Sequence, residues 1–336
     1  MKAWQLVGIL CLGSAGCRSP LPELPPDPFE AAAPEREASA PRAARSQRVG
    51  SEIVVAGKRY EIQAPVVLWY QAPRYNAYSK RPRFSREGEH GLRYQPGRTP
   101  RSAALEQSVR RRGWDLANLQ EQVDQFVLHY DVAGTSQTCF KVLQDLRGLS
   151  VHFLLDLDGT LYQTLDLKEQ AWHASQANPR SIGVEIAHIG AYPEGQPSPL
   201  DDWYTVDAFG RRLRLPERLG DGGLRLRDFV ARPARPELIR GRIQGGRLQQ
   251  FDYTPEQYET LVRLSAALAR IFPKLRLDAP RDASGKLRQG VLSESELEAF
   301  QGILGHYHVS KSKIDPGPAL NWEALLGSAR KLLGQP

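Results

Sequence analysis

Short apolar runs alternate along this chain with stretches of helical period, which is the pattern expected of an α/β domain. The runs at 126–128, 151–155 and 181–187 predict buried strands. Apolar residues recur at helical spacing over 136–147 and again over 255–272. We expect a single mixed sheet flanked by helices, because the roughly 220 residues after position 115 suffice for one core.

Local signals mark the ends of several of these elements. Thr135 or Ser136 can cap the helix that follows, and Gly148 is a suitable residue for its end. The pair Asp158-Gly159 is a hairpin turn signal between two strands. Thr254 begins a capping-box sequence with a proline at the first helical position, so a second helix is predicted to start there.

The first 50 residues have the composition of an export signal and a tether. Residues 1–17 combine a basic start, a short apolar stretch and small residues before Cys17, which resembles a bacterial lipobox. Ser14 departs from the usual Leu or Val of that motif, and plain signal cleavage is the alternative. Residues 18–50 are rich in Pro and Ala and predict a disordered tether. We expect export to the cell envelope and a membrane anchor through lipidated Cys17, in the outer membrane facing the periplasm if the cell is Gram-negative.

Two further segments stand outside the main pattern. Within residues 51–114, apolar runs between 52 and 70 predict a small accessory β element. The predicted main domain spans 115–334 and contains a long Arg/Gly/Pro-rich insertion at 192–250. A lid, a substrate-binding wing and a disordered insertion are the alternatives for that segment, since loops of this length are usually functional or disordered.

The net charge of +7 is unevenly distributed. Nine arginines cluster in one region: Arg81, Arg83, Arg86, Arg93, Arg98, Arg101, Arg110, Arg111 and Arg112. No nucleic-acid motif accompanies them, so we expect no nucleic-acid partner. A solvated face, or attraction to an anionic envelope polymer, suits an exported protein better. Cys139 would have no intrachain partner after processing and is expected to be a small core residue.

The segment 305–318 holds a histidine, a lysine and an aspartate in what is predicted to be a loop. Asp315 opens the sequence Asp-Pro-Gly-Pro, a stiff turn that suits a metal ligand. A catalytic zinc usually has three protein ligands, and His129, at the end of a predicted strand, is the candidate for the third. His306 is favoured over His308. Glu185 interrupts an apolar run, where a carboxylate is costly unless it is paired or functional.

Together these features resemble the type-2 N-acetylmuramoyl-L-alanine amidases, which share a fold with animal peptidoglycan recognition proteins. The resemblance is carried, in chain order, by a strand ending in His129, His152-Phe153-Leu154-Leu155 with Asp158-Gly159-Thr160, Ala171-Trp172-His173-Ala174, Asn178 before Ser181-Ile182-Gly183-Val184-Glu185, and Gly305-His306 with Lys313-x-Asp315-Pro316-Gly317-Pro318. It is closest to the bacterial branch whose third metal ligand is an aspartate.

The resemblance implies a zinc enzyme of α/β fold. His129, His306 and Asp315 would bind one Zn²⁺ per chain. Glu185 would act on the water held by the zinc, and Lys313 would stabilise the oxyanion. The substrate would be peptidoglycan or muropeptides, hydrolysed between N-acetylmuramic acid and L-alanine in cell-wall turnover or remodelling.

The resemblance also implies a substrate cleft lined by His173 with Trp172, and we add Asn178 to that set. Val151 stands where several relatives have a catalytic tyrosine, so no tyrosine role carries over. We expect a monomer. The alternative is a non-catalytic peptidoglycan-binding receptor on the same fold, but such relatives typically lack a zinc ligand, and all three are present here.

Overall fold

The computed structural model describes residues 49–84 and 88–335. The predicted signal segment 1–17, with Cys17, lies outside the described residues. So does the predicted tether 18–50, apart from its last two residues. No helix in the described part of the chain is both long and apolar enough to cross a bilayer.

The described residues form the following elements. The strands are β1 (Gly50–Val55), β2 (Lys58–Leu68), β3 (Tyr94–Gln95), β4 (Gln125–Tyr130), β5 (Phe153–Leu155), β6 (Leu161–Gln163), β7 (Gln170–Ala171), β8 (Ser181–Ile186), β9 (Tyr192–Pro193), β10 (Tyr204–Asp207), β11 (Gly210–Leu213), β12 (Ile239–Ile243), β13 (Gly246–Gln250) and β14 (Gly302–Gly305). The helices are α1 (Ala103–Arg112), α2 (Leu116–Gln122), α3 (Ser136–Phe140) continuing as a π-helix (Lys141–Arg147), α4 (Leu200–Trp203), α5 (Pro255–Ile271), α6 (Glu294–Ala299), α7 (His306–Val309) and α8 (Trp322–Leu332), with 3₁₀ turns at Ser175–Ala177 and Glu217–Leu219.

Seven of the described strands form the central sheet, in the order β1-β2-β6-β5-β8-β4-β14. Strands β5, β8, β4 and β14 are parallel neighbours, whereas β6 runs antiparallel to β5 and β1 antiparallel to β2. Helices α5 and α8 pack against each other, α5 also contacts β2 and β5, and α3 contacts β5 and β8. This is the mixed sheet flanked by helices that the sequence predicts.

The N-terminal strands extend this sheet instead of forming a separate accessory element. Strand β2 pairs in parallel with β6 through residues 66–68, and β1 forms the sheet edge. The Gln163 side chain donates to the Val54 carbonyl and accepts from its amide, at 2.8 and 2.7 Å. The sequence predicts the strands of region 51–114 but not their partner, since pairing with a strand about 100 residues away leaves no local signal.

The alternation of side chains along the strands separates the core from the opposite face of the sheet. Phe126 and Leu128 of β4 and Val184 of β8 lie in the core cluster that also contains the apolar residues of α5 and α8. Because successive strand residues point to opposite faces, His129 and Glu185 point away from that cluster.

The predicted caps and turn are present. Thr135 caps α3 through its side-chain oxygen, and Ser136 is the first residue of the helix. Thr254 and Gln257 form the capping box of α5. The pair Asp158-Gly159 lies in the turn that joins the antiparallel strands β5 and β6.

Two segments are more ordered than their sequences predict. Helix α1 lies where we find no hydrophobic period, because Leu105 is the helix's one buried residue. The insertion 192–250 contains the hairpin β10-β11 and a three-stranded sheet in the order β12-β13-β9. It is therefore a folded part of the domain, and its contacts bear on the site described below.

Arg98 corrects the prediction of a solvated arginine face. It is only 3 % exposed, and burial lowers its pKa to about 9. Its guanidinium donates to the carbonyl of Leu167 at 2.9 and 3.0 Å, to that of Pro179 at 3.2 Å and to that of Ser181 at 2.9 Å. A buried cation here joins the chain before β8 to the loop after β6.

We expect Arg98→Met to lower the free energy of unfolding by about 3 kcal/mol, because it leaves several buried carbonyls without a donor. Urea denaturation measures this change. Arg110→Ala is the control, since Arg110 is exposed on α1 and, within the part of the chain that the structure describes, its salt bridge is to Glu106 one turn away. Its effect should stay within about 0.5 kcal/mol. Equal, small losses in both variants would contradict a structural role for Arg98.

Candidate metal centre and active site

Three side chains of metal-ligand type meet at the carboxyl ends of two parallel strands. His129 is the fifth residue of β4, and His306 directly follows β14, which pairs with β4 in parallel. Their proximity therefore follows from strand pairing. Asp315 comes from the loop after α7. The segment 305–318, predicted as loop, begins instead with the helical turn α7.

The ligand atoms converge on one point. His129 Nδ1 lies 3.0 Å from His306 Nδ1 and 3.1 Å from Asp315 Oδ2, and His306 Nδ1 lies 2.9 Å from the same oxygen. All three residues are buried. If both histidines donated from Nδ1 to the Asp315 carboxylate, their two N–H groups would face each other with the nitrogens 3.0 Å apart, which is unfavourable. Three lone pairs directed at a shared cation satisfy all three contacts, and two imidazoles with one carboxylate form a donor set suited to zinc.

The protonation states agree with ligation. Burial, together with neighbouring His306, lowers the pKa of His129 to about 4. Burial alone would raise the pKa of Asp315, but His306 and His129 outweigh it and hold that pKa well below its usual range. At neutral pH His129 is therefore neutral and Asp315 ionised, which are the forms that bind a metal.

His173 contacts the side of His129 that faces away from the cluster. The distance from His129 Nε2 to His173 Nδ1 is 3.0 Å, and His173 Nε2 lies 3.3 Å from Ser181 Oγ. The ring packs over Gly183, where a Cβ would lie 2.5 Å from His173 Nδ1. Such a contact fixes the orientation of a ligand histidine. The sequence assigns His173 to the substrate cleft and does not reveal this contact, which depends on a pairing of distant strands.

The other two predicted cleft residues lie beside His173. Asn178 Oδ1 accepts from the amides of His173 and Ala174 at 3.1 and 2.6 Å, so it shapes the loop. Trp172 is half-buried, and its amide donates to Ser150 Oγ at 3.0 Å. Contact of Trp172, His173 and Asn178 with substrate stays a prediction.

Glu185 lies next to the three candidate metal ligands. It is the register partner of His129 on the neighbouring parallel strand, so both side chains point to the same face. Its Oε2 is buried and has no hydrogen-bond partner among the described residues. Burial raises its pKa well above the usual range, and the charges of Asp315 and Asp131 add to the shift. A buried carboxylate oxygen that has no partner among the described residues, beside a cluster of ligand-type side chains, is typical of a functional residue.

Lys313 differs from its neighbour Lys311. Lys313 is half-buried, whereas Lys311 is exposed. The positive charge of Lys313 lowers the pKa of both Glu185 and His129, so it acts on the site. No carboxylate of the described ranges pairs with it in a salt bridge, which leaves its ammonium group available to a substrate.

The remaining buried histidines near the site have structural partners. His308 Nδ1 accepts from the Gly305 amide at 2.9 Å and its Nε2 donates to the Arg288 carbonyl at 2.8 Å, so it does not compete with His306 as a ligand. His188 likewise lies 2.9 Å from the Phe251 carbonyl.

Comparison with known proteins identifies the family. The family model described as N-acetylmuramoyl-L-alanine amidase matches residues 119–318, more than half of the chain. Among similar solved structures are Staphylococcus aureus AmiA with its ligand (13 % identity, TM-score 0.36, 72 % of this chain and 98 % of that chain) and Escherichia coli AmiD with anhydro-N-acetylmuramic acid-L-Ala-D-γ-Glu-L-Lys (15 %, 0.34, 62 % and 57 %). Drosophila peptidoglycan recognition protein SA is 21 % identical, with a TM-score of 0.18, over 23 % of this chain and 51 % of that chain.

The assignment rests on the family match, since structural similarities at these TM-scores add no argument. No curated protein matches the sequence. The matched residues include His129, Glu185, His306, Lys313 and Asp315, that is, the whole cluster described above. The chain therefore belongs to the N-acetylmuramoyl-L-alanine amidase family.

Proposed function

We propose that this protein is a zinc-dependent amidase that hydrolyses the bond between N-acetylmuramic acid and L-alanine in peptidoglycan or muropeptides, in cell-wall turnover or remodelling. The observation that carries the proposal is the convergence of ligand atoms from three buried residues beside Glu185, whose buried Oε2 has no hydrogen-bond partner among the described residues. The family supplies the reaction class, and the donor set supports zinc as the cofactor.

The residues present fit one zinc ion. His129, His306 and Asp315 would hold it, and His173 would keep His129 in its orientation. Three protein ligands leave one position of a tetrahedral site open, as catalytic zinc sites require. When bound, zinc would lower the pKa of a water molecule and polarise the scissile carbonyl.

Glu185 would serve as general base and then as general acid. A carboxylate whose pKa is raised is a stronger proton acceptor than an ordinary glutamate. Glu185 would take the proton of the attacking water and deliver it to the amine nitrogen of L-alanine as the C–N bond breaks. Its unpaired Oε2 leaves that atom free for this proton.

Lys313 would stabilise the negative charge that develops on the carbonyl oxygen during attack. A preorganised cation in a partly buried site acts more strongly on such a charge than it would in water. Trp172 and His173, with Asn178 shaping their loop, would form the adjacent wall of the substrate cleft.

We also propose that the protein is exported and held in the cell envelope by a lipid on Cys17. The proposal rests on the small residues before Cys17 and the apolar stretch preceding them. Residues 18–50 would then connect the anchor to the amidase domain, within reach of the cell wall.

Metal content and activity together test the proposed zinc site. Purified protein should hold about one zinc per chain and release L-alanyl peptides from peptidoglycan. His129→Ala and His306→Ala should lose both zinc and activity. Glu185→Gln should keep zinc but lose on the order of 10²–10⁴ in rate. Metal analysis and chromatography of the products measure these outcomes. Full zinc occupancy in both histidine variants would refute the site, and wild-type binding without product release would indicate a receptor.

Lys313→Ala should keep zinc and KM but lower kcat by on the order of 10²–10³, the usual effect of removing one oxyanion donor. Lys311→Ala is the matched control and should change little, because an exposed charge contributes little. Steady-state kinetics with verified metal content decides the matter. Similar small losses in both variants would show that Lys313 is only a solvated side chain.

Cells grown with a labelled fatty acid should yield labelled protein in the membrane fraction, and Cys17→Ser should abolish the label. Stable anchoring needs more than one acyl chain, so the wild type should resist extraction with high salt. An unlabelled wild type found entirely in the soluble envelope fraction would favour plain signal cleavage instead.

A further inference from the structure

The insertion 192–250 touches the loop that carries Lys313 and Asp315. Its hairpin, β12 and β13, ends in the two-residue turn Gln244-Gly245. The turn lies against α7 and the residues after it, because the Gln244 side chain reaches three of their carbonyls. The hairpin therefore contacts the loop that carries Lys313 and Asp315.

The turn is made at some cost in backbone strain. Gln244 has φ +53° and Gly245 φ +78°, and a type I′ hairpin turn requires positive φ at both positions. Asn-Gly is the usual sequence for such a turn, whereas a glutamine at positive φ is uncommon. Backbone strain that is retained at one residue indicates that the side chain of this residue has a role.

The side-chain amide of Gln244 binds the backbone of the neighbouring loop. Its Nε2 donates to the carbonyls of Tyr307 at 2.8 Å, Ser310 at 3.1 Å and, more weakly, Lys313 at 3.4 Å, while its Oε1 accepts from the Val291 amide at 3.2 Å. Carbonyls at the end of a short helix lack intrahelical donors. One amide therefore fixes the path of the chain from α7 to Lys313.

A second set of contacts holds the residues that follow Asp315. Tyr253 Oη donates to the Pro316 carbonyl at 2.6 Å. Gln250, at the end of β13, donates to the same carbonyl at 3.3 Å and accepts from the Ala319 amide at 3.0 Å. Both side chains are buried. They fix the backbone on the far side of the ligand, whereas Gln244 fixes it on the near side.

We propose that the insertion is a positioning device for the active site, in which Gln244 sets the place of the Lys313 ammonium group and Tyr253, just beyond the hairpin, helps set that of Asp315. The inference rests on the proposed function, because it takes Lys313 as the oxyanion donor and Asp315 as a zinc ligand. Gln244 is a positioning residue that acts through Lys313. A displacement of about 1 Å in a catalytic group suffices to reduce the rate on the order of 10²-fold.

Gln244→Asn tests the role of Gln244, since asparagine is favoured at this turn position but is one methylene too short to reach the carbonyls. We expect an unchanged or higher melting temperature, full zinc content and unchanged KM, with kcat lowered about 10- to 100-fold. The control is Gln249→Ala in the same hairpin, a half-buried side chain without a hydrogen bond among the described residues. It should leave kcat within about twofold of wild type.

A double-mutant cycle identifies the residue through which Gln244 acts. In a Lys313→Ala background, Gln244→Asn should lower kcat no further, because there is no ammonium group left to position. Multiplied losses, or a Gln244→Asn kcat within about twofold of wild type, would overturn the inference. The proposed function fails separately, if the wild type itself is inactive or holds no zinc.

Tyr253→Phe tests the proposed role of Tyr253 in positioning Asp315, by a measurement that needs no substrate. Removing the hydroxyl should raise the zinc dissociation constant about tenfold in competition with a chelator, as loss of supporting contacts around a metal ligand does. Gln244→Asn should leave this constant unchanged. Equal zinc affinities for Tyr253→Phe and wild type would show that Tyr253 does not position Asp315.

Discussion

The parallel pairing of β4 with its two neighbours is the constraint on which the site depends. Pairing with β14 puts His306 beside His129, and pairing with β8 puts Glu185 on the other side of the same histidine. No side chain has to reach far, because adjacent strands lie about 4.8 Å apart. The alternation of side chains then assigns apolar residues to the core and these polar ones to the opposite face. Of the five residues proposed for metal binding and catalysis, Asp315 and Lys313 come from irregular structure, and supporting contacts from the insertion accumulate there.

Burial gives these groups their chemistry as well as their positions. The same exclusion of water that stabilises the core keeps His129 neutral and raises the pKa of Glu185. It would also protonate Asp315, were it not for the two histidines beside it. The site therefore tolerates one ionised carboxylate and disfavours a second: Asp315 takes the ionised form of a metal ligand, whereas Glu185 has a raised affinity for a proton.

The sequence predicts the local features well and the long-range ones poorly. Thr254 and the pair Asp158-Gly159 announce their cap and turn because the relevant contacts lie within a few residues. The ligand set is predicted because a family resemblance carries information on contacts between distant residues. Arg98 is not distinguished from its eight neighbouring arginines, since its acceptors lie about 70 to 80 residues away. The folded structure of the insertion is not predicted, for a similar reason. Its hairpin is stabilised by contacts with a loop some 66 residues further along the chain.

The chain order of the ligands has a consequence for how the protein acquires its activity. His129 and His306 are separated by 177 residues, and the whole insertion lies between them. A nascent chain that has released β4 and β8 from the ribosome still lacks two of the three candidate ligands, His306 and Asp315, and β14 cannot pair with β4 until the insertion and α5 have been synthesised. Binding of the proposed zinc would therefore follow closure of the sheet, because a chain that ends before β14 lacks two of the three candidate ligands.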